Sequence, residues 1–339
     1  MKKTFVSAVT ALAVFSLLVV VPSIADARPI TMSYSTFFPP THIQAITAEE
    51  WIKEVEKRTE GRVKINFYPG QTLTRAPETI ESLEAGIVDI GTAALAYTEG
   101  RFPVMATMDL PLGYPSGVAA TEAANKLFEK YQPEEFDRVK VMYFNAHGPG
   151  FIHTRREPVE SLEDMSGLRI RSTGMSASVV RALGGTPVSM AMPDTYQSLQ
   201  RGVVDGSIHP IEVNQGWNMA EVVDYATIAY PSAYTTTFWV AMNKNKWNAL
   251  SEEDQRIIEE INEEWAHRHG EAWDSSDEDG KEFFLAEGGQ LVEIDEAEAQ
   301  RWKEAVAPVI DDYIEMLNKR GVDGREAVDF IQQILDEHR

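Results

Sequence analysis

The 339 residues predict an α/β protein of two lobes, each an open sheet flanked by helices, and three observations carry that reading. A thirteen-residue segment occurs twice, 116 positions apart, as PETIESLEAGIVD at 77–89 and PDTYQSLQRGVVD at 193–205. Each copy is preceded by the same order of patterns, strand then helix then strand. After both units comes an amphipathic stretch long enough to brace two lobes.

The elements follow in order. Ile30–Thr36 alternates as a strand, and a helix with Ile46, Trp51, Ile52 and Val55 on its apolar face ends at Gly61. Val63, Ile65 and Phe67 alternate in a second strand. Pro77 opens the next helix in its first turn, where a missing N–H costs nothing. Ile80 and Leu83 recur at helical spacing, Gly86 caps the helix in the left-handed conformation, and a short apolar strand follows. The second unit repeats this: strand Leu168–Arg171, a helix from about Ser176 to Leu183 stopped at Gly184-Gly185, and strand Thr186–Met190. Pro193 then opens the helix of Tyr196 and Leu199, which Gly202 ends. Both units read as open parallel sheets with helices on both faces.

Downstream, Tyr234–Met242 is an aromatic, β-branched strand expected to return to the first lobe. Ser251 with Asp254 starts the long helix, which carries Ile257, Ile258, Ile261 and Trp265 and extends toward Gly288. Residues 297–318 and 325–336 read as closing amphipathic helices. Lobe 1 is then 28–150 with 232–250. Lobe 2 is 151–231 with the bracing helix and the C-terminal helices of 251–339. Two lobes in one chain imply a hinged clamp with a ligand between them.

The first residues read as an export signal: Lys2 and Lys3, an apolar run from Phe5 to Val21, then Ala25-Asp26-Ala27 with a cut after Ala27. The run is short for a bilayer crossing and contains Ser7, Thr10 and Ser16. No cysteine follows that could carry a lipid, so the mature chain is expected free in the periplasm, without disulfides. Cleavage removes Lys2, Lys3 and Asp26 and leaves 29 basic against 52 acidic residues, a net charge of −23. So acidic a chain is a poor partner for nucleic acid or anionic membranes.

In open α/β sheets ligands collect beyond the carboxyl ends of strands. In lobe 1 that rule selects the loop holding Phe37, Phe38 and His42, and the segment ending at Tyr97. In lobe 2 it selects Arg171-Ser172-Thr173 and Ile208-His209-Pro210. Arg171 ends the apolar strand LRIR ahead of GMSAS, so two roles fit it: a fork on a ligand carboxylate, helped by the following helix N-terminus, or a pair with a surface acid. Phe37-Phe38 in a Pro-bounded loop, Trp217 after Asn214-Gln215-Gly216, Phe151, and Tyr234 read as walls for an apolar or aromatic ligand body, although most large aromatics are core. His42, His147, His153 and His209 lie where they could line a cleft. A zinc site would need several of them to converge and lacks HExxH-type spacing, so His209 is placed against a ligand and no metal or cofactor is expected. No nucleophile motif or phosphate-cradling loop is present, which argues against an enzyme.

LEDMSGLRIRSTG (162–174), ALGGTPVSMAMPDTYQSLQRGVVDG (182–206) and FYPGQTL (67–73) resemble the solute-binding subunit of TRAP (tripartite ATP-independent periplasmic) transporters. The resemblance extends over essentially the whole mature chain. It implies a two-lobed periplasmic-binding-protein fold closing on an organic acid, with Arg171 clamping its carboxylate. It also implies delivery to small and large membrane permease subunits driven by an ion gradient.

Two departures bear on the ligand. Where the family often has Glu-Asn-Pro after the VVDG turn, this chain has Ile208-His209-Pro210. Some sialic-acid and dicarboxylate binders carry a second arginine near GPGFIHT (148–154), where Phe151 stands here. The expected ligand is therefore a monocarboxylate with an apolar or aromatic body, such as an aryl, indole-type or 2-oxo acid. The alternatives are a C4-dicarboxylate and, from a different class, an exported metal-dependent hydrolase.

Overall fold

The computed structural model describes residues 29–339, so the export segment and its cut after Ala27 lie outside the described residues. The first lobe comprises β1 (Ile30–Thr36), α1 (Ile43–Arg58), β2 (Val63–Tyr68), α2 (Thr79–Glu84), β3 (Ile90–Ala94), α3 (Gly117–Tyr131) and β4 (Val139–Ala146). The second comprises β5 (Gly150–Thr154), β6 (Arg169–Ser172), α4 (Met175–Ala182), β7 (Thr186–Ser189), α5 (Thr195–Gln200), β8 (Gly206–Pro210), α6 (Val213–Gly216) and β9 (Tyr225–Ile228). The chain returns through β10 (Thr237–Asn243) and α7 (Lys244–Asn248). It ends with α8 (Glu252–Ala286), β11 (Gln290–Glu293), α9 (Glu296–Lys319) and α10 (Gly324–Glu337).

Lobe 1 holds a five-stranded sheet in the order β2-β1-β3-β10-β4, and lobe 2 a six-stranded sheet in the order β11-β9-β5-β8-β6-β7. β1 runs parallel to β2 and β3, and β6 runs parallel to β7 and β8, as the repeated units require. The sheets are nevertheless mixed, which corrects the all-parallel expectation. β10 enters lobe 1 antiparallel to both β3 and β4, and β5 enters lobe 2 antiparallel to β8 and β9. Both are strands by which the chain crosses from one lobe to the other.

The repeat has a structural counterpart at every position that matters. Pro77 and Pro193 each sit in a single 3-10 turn ahead of α2 and α5. Gly86 and Gly202 both take positive φ, +72° and +71°, as a left-handed helix end demands. The next residue points outward (Ile87, Val203) and the one after is buried (Val88, Val204), so the strand begins only at Ile90 or Gly206. The closing Asp ties the turn back to the first strand of its unit. Asp89 Oδ2 accepts from Ser33 N at 2.8 Å, and Asp205 Oδ2 from Arg169 N at 2.9 Å.

Helix α1 is capped by His42, whose Nδ1 accepts from Gln44 N at 3.2 Å, and it buries Ala45, Ala48, Trp51, Ile52 and Val55. Ile46 lies off that stripe and is exposed. Helix α8 starts at Ser251, whose Oγ accepts from Asp254 N at 3.1 Å. Its Ile258, Ile261 and Trp265 pack in the lobe 1 core with Trp51 and Val55, whereas Phe284 joins Leu199, Val213 and Ala226 in lobe 2. Two glycines inside α8 allow close crossings. A Cβ on Gly270 would lie 3.1 Å from Val118 Cα, and one on Gly280 only 2.5 Å from Glu212 Cα. Glycine in a helix interior costs roughly 0.5–1 kcal/mol, and here it lets the brace touch both lobes.

The C-terminal helices do not all belong to lobe 2. Trp302 and Val306 of α9 pack there with Ile152, Ile170 and Val180, but Ile314 near its other end reaches the core of lobe 1. Val328, Ile331 and Leu335 of α10 share that lobe 1 core with Ala120 and Leu127 of α3. An amphipathic face specifies that a helix is covered, not which lobe covers it.

Candidate functional site

Two chain segments run side by side between the lobes. Gly150 N donates to Tyr234 O at 2.9 Å, His147 N to Thr236 O at 3.4 Å, and Thr235 Oγ1 to His147 O at 2.5 Å. Beside this pair lies a pocket between the lobes, with about 370 Å³ of empty space counted out to open solvent. Lobe 1 supplies Phe37, Phe38, Tyr97 and Phe238 to its wall. Lobe 2 supplies Arg171, Thr173, Met192, His209, Glu212 and Trp217, and Tyr234 and His147 come from the crossing segments. Trp273 of α8 completes it.

Arg171 sits in β6 between Val188 of β7 and Ser207 of β8 and is 3% exposed. Its Nε donates to Met190 O at 3.0 Å, and it has no acid partner among the described residues. The surface pairing belongs to Arg169, which lies two residues earlier and donates to Asp205 through Nε and Nη2, each at 2.9 Å. Tyr97 O–H accepts from Met192 N at 3.2 Å and lies beside the Arg171 guanidinium; burial raises its pKa and the arginine opposes that rise. Thr173 N donates to Ser176 Oγ at 2.9 Å where α4 begins. At Gly174 (φ +49°) a Cβ would lie 2.9 Å from Ala96 Cβ, so the two lobes meet closely beside the arginine.

The histidines of the wall are neutral. Burial, with Arg171 nearby, lowers His147 to about 4, and burial holds His209 well below its ordinary value. His209 Nδ1 lies 2.9 Å from Pro210 O, which assigns its proton to Nδ1 and leaves the buried Nε2 an acceptor without a partner among the described residues. His153 stacks on His209 at 3.9 Å and its Nε2 lies 3.2 Å from Asn214 Nδ2. Both residues are in strands rather than loops. Among the described residues no group of three or more His, Asp or Glu is arranged to hold a metal.

Aromatic rings form much of the remaining wall. Phe37 and Phe38 lie 4.2 Å apart, Phe38 and Phe238 5.5 Å apart, and Phe238 stacks on Trp273 at 5.4 Å. Trp217 stacks on Phe37 at 6.2 Å. The fold thus brings together Phe37, Phe38, Tyr97, Arg171, Thr173, His209, Trp217 and Tyr234 from the sequence-derived set. His42 stands one layer back, stacked on Phe38 at 4.6 Å. Phe151 is outside the wall: its ring turns edge-on to Tyr230 at 5.2 Å, so it does not contact the cavity. Glu212 and Trp273 were not singled out from the sequence. Glu212 follows His209 by only three residues, a signal that was available, whereas Trp273 reads as one more apolar position of a long helix.

The family model of the bacterial extracellular solute-binding proteins, family 7, matches residues 34–316. A TRAP periplasmic solute-binding protein from Desulfovibrio salexigens is 34% identical, superposes with a TM-score of 0.80, and the match covers 91% of this chain and 97% of that one. A TRAP solute-binding protein from a marine metagenome, described as specific for aromatic acid ligands and bound to 3-hydroxybenzoate, is 27% identical with a TM-score of 0.87, covering 92% and 99%. One from Rhodoferax ferrireducens with copurified benzoate is 27% identical with a TM-score of 0.86, covering 91% and 98%. With its two lobes, the pocket between them and this match along most of its length, the chain belongs to bacterial extracellular solute-binding protein family 7, the solute-binding proteins of TRAP transporters.

Proposed function

We propose that this protein captures a small aromatic monocarboxylate in the periplasm, closes its lobes over it and delivers it to paired membrane permease subunits. The observation that carries the ligand class is the pairing of one buried cation, Arg171, with a wall of stacked aromatic rings. Arg171 keeps its two terminal amino groups for a carboxylate, and charge-assisted bonds of this kind contribute about 1.5–3 kcal/mol each. Phe37, Phe38, Trp217 and Phe238 match an aryl body by offset and edge-on packing. A second carboxylate would meet neutral histidines and the buried Glu212 instead of a second cation, and it would be desolvated without compensation. Two structural relatives with aromatic acids bound support the same class. No described helix is long and apolar enough to cross a membrane, so this reading assigns translocation to separate subunits.

Calorimetric titration with benzoate, mandelate and phenylpyruvate against succinate and malate tests the reading. Aryl acids are expected to bind at about micromolar affinity and the dicarboxylates roughly 100-fold more weakly. Strong binding of succinate or malate with none for the aryl acids would overturn it. Arg171→Ala is expected to abolish carboxylate binding with an unchanged circular dichroism spectrum.

A further inference from the structure

Glu212 is the charged group of the cavity that carboxylate capture leaves unused. It is 2% exposed, and among the described residues no hydrogen bond ends on its carboxylate oxygens. A carboxylate has about four acceptor sites, and burying them without donors is costly. Its near neighbour is His42, with Nε2 3.2 Å from Oε2. Because His42 Nδ1 accepts the Gln44 N–H, the ring proton sits on Nε2, close to the carboxylate but not aligned with it for a hydrogen bond.

The surroundings are built to hold this pair. Glu212 N donates to Asp277 Oδ1 at 3.0 Å, and Gly280 lets α8 pass directly against the Glu212 backbone. A Cβ on Gly216 would fall 2.6 Å from Glu212 Oε2 and 2.9 Å from His42 Cδ2, so only glycine leaves room there. The stack of Phe37 on Phe38 runs from Tyr97, beside Arg171, to His42, beside Glu212. The cation and the anion therefore occupy separate parts of one aromatic wall.

We propose that Glu212, held beside His42, accepts the O–H of a ring hydroxyl, so that the protein selects hydroxylated aromatic monocarboxylates over unsubstituted ones. The inference rests on the aryl-acid reading above. A site that hydrogen-bonds a substrate hydroxyl disfavours the analogue lacking it, because its own polar group is then left unpaired.

The test is calorimetric titration of the wild-type protein with benzoate, the three monohydroxybenzoates and 4-(aminomethyl)benzoate. At least one hydroxy isomer is expected to bind about tenfold or more tightly than benzoate. Glu212→Met is expected to bring that ratio to within about threefold of unity. A wild-type ratio within threefold of unity for every isomer overturns the inference without recourse to any variant, as does a ratio that survives Glu212→Met in folded protein. Tightest binding of the aminomethyl compound would assign Glu212 to an ammonium group and overturn the hydroxyl. Equal binding of benzoate and its hydroxy derivatives sinks this inference alone, whereas no binding of any of these acids sinks the aryl-acid reading beneath it.

Discussion

Asp277 of the long helix accepts the backbone N–H of Glu212 at 3.0 Å, and one turn earlier Asp274 accepts from Gly117 N at 2.5 Å and Val118 N at 3.1 Å. One stretch of α8 thus holds an amide from each lobe. Burial raises the pKa of both carboxyls, that of Asp277 well above its ordinary value with Glu212 adding to the rise. Asp277→Asn keeps an acceptor for the amide and is expected to cost under about 1 kcal/mol. Asp277→Ala strands a buried N–H and is expected to cost about 1–3 kcal/mol. Urea midpoints of the two variants check this, and equal midpoints would refute the role.

Arg171→Lys separates charge from shape. Lysine keeps the cation but loses the planar fork and the donor to Met190 O. Ligand affinity is expected to fall by roughly tenfold or more, yet to remain measurable where Arg171→Ala shows none. Titration calorimetry at fixed ionic strength decides between them.

The stabilising contributions of two buried carboxyls are expected to fall as pH rises through the neutral range, against an opposite contribution from the buried neutral histidines. Burial lifts the carboxyl of Asp109 to about 7 although Thr237 N donates to it at 2.9 Å, and burial lifts Glu135 to about 7 as well. An unfolded aspartate titrates near 4. Between about 4 and 7 the folded state therefore binds the extra proton, and its advantage is lost as pH rises across that window. The stability of the wild type relative to Asp109→Asn should therefore fall by on the order of 1–3 kcal/mol between pH 5.5 and pH 8, read from urea midpoints at the two pH values. A relative stability that stays constant or rises across that interval would contradict this.

Gly150→Ala tests the crossing between lobes. A Cβ there would lie 2.2 Å from Tyr234 Cε1 and 2.6 Å from Cδ1, so the ring that lines the cavity must move. Overpacking of this kind typically costs about 1–3 kcal/mol. Both melting temperature and ligand affinity are expected to drop; a variant with unchanged affinity would show that Tyr234 is free to shift.

Much of the secondary structure was legible because its signals are local. His42, Ser251, Gly86 and Gly202 act as caps within a few residues of where they stand, and the alternation in β1 and β2 follows from one buried face. β4, β5, β9 and β11 were not separated from their neighbours. Their lengths are short, or their runs are apolar throughout, and periodicity cannot order such segments.

By itself the sequence determined two related units, the strand ends where a ligand site must lie, and Arg171 as a cation on one of them. Only tertiary structure separates the two roles open to Arg171: folding shows that Asp205 pairs with Arg169 and that Arg171 has no acid partner among the described residues, which supports the ligand role proposed for it. The same holds for Glu212 beside His42, for Trp273 against Phe238, for Phe151 turned away toward Tyr230, and for α10 on lobe 1. Each is a contact between residues far apart in the chain. Local patterning records that a side chain is apolar or charged; the crossing of α8, β5 and β10 between lobes sets which side chains meet.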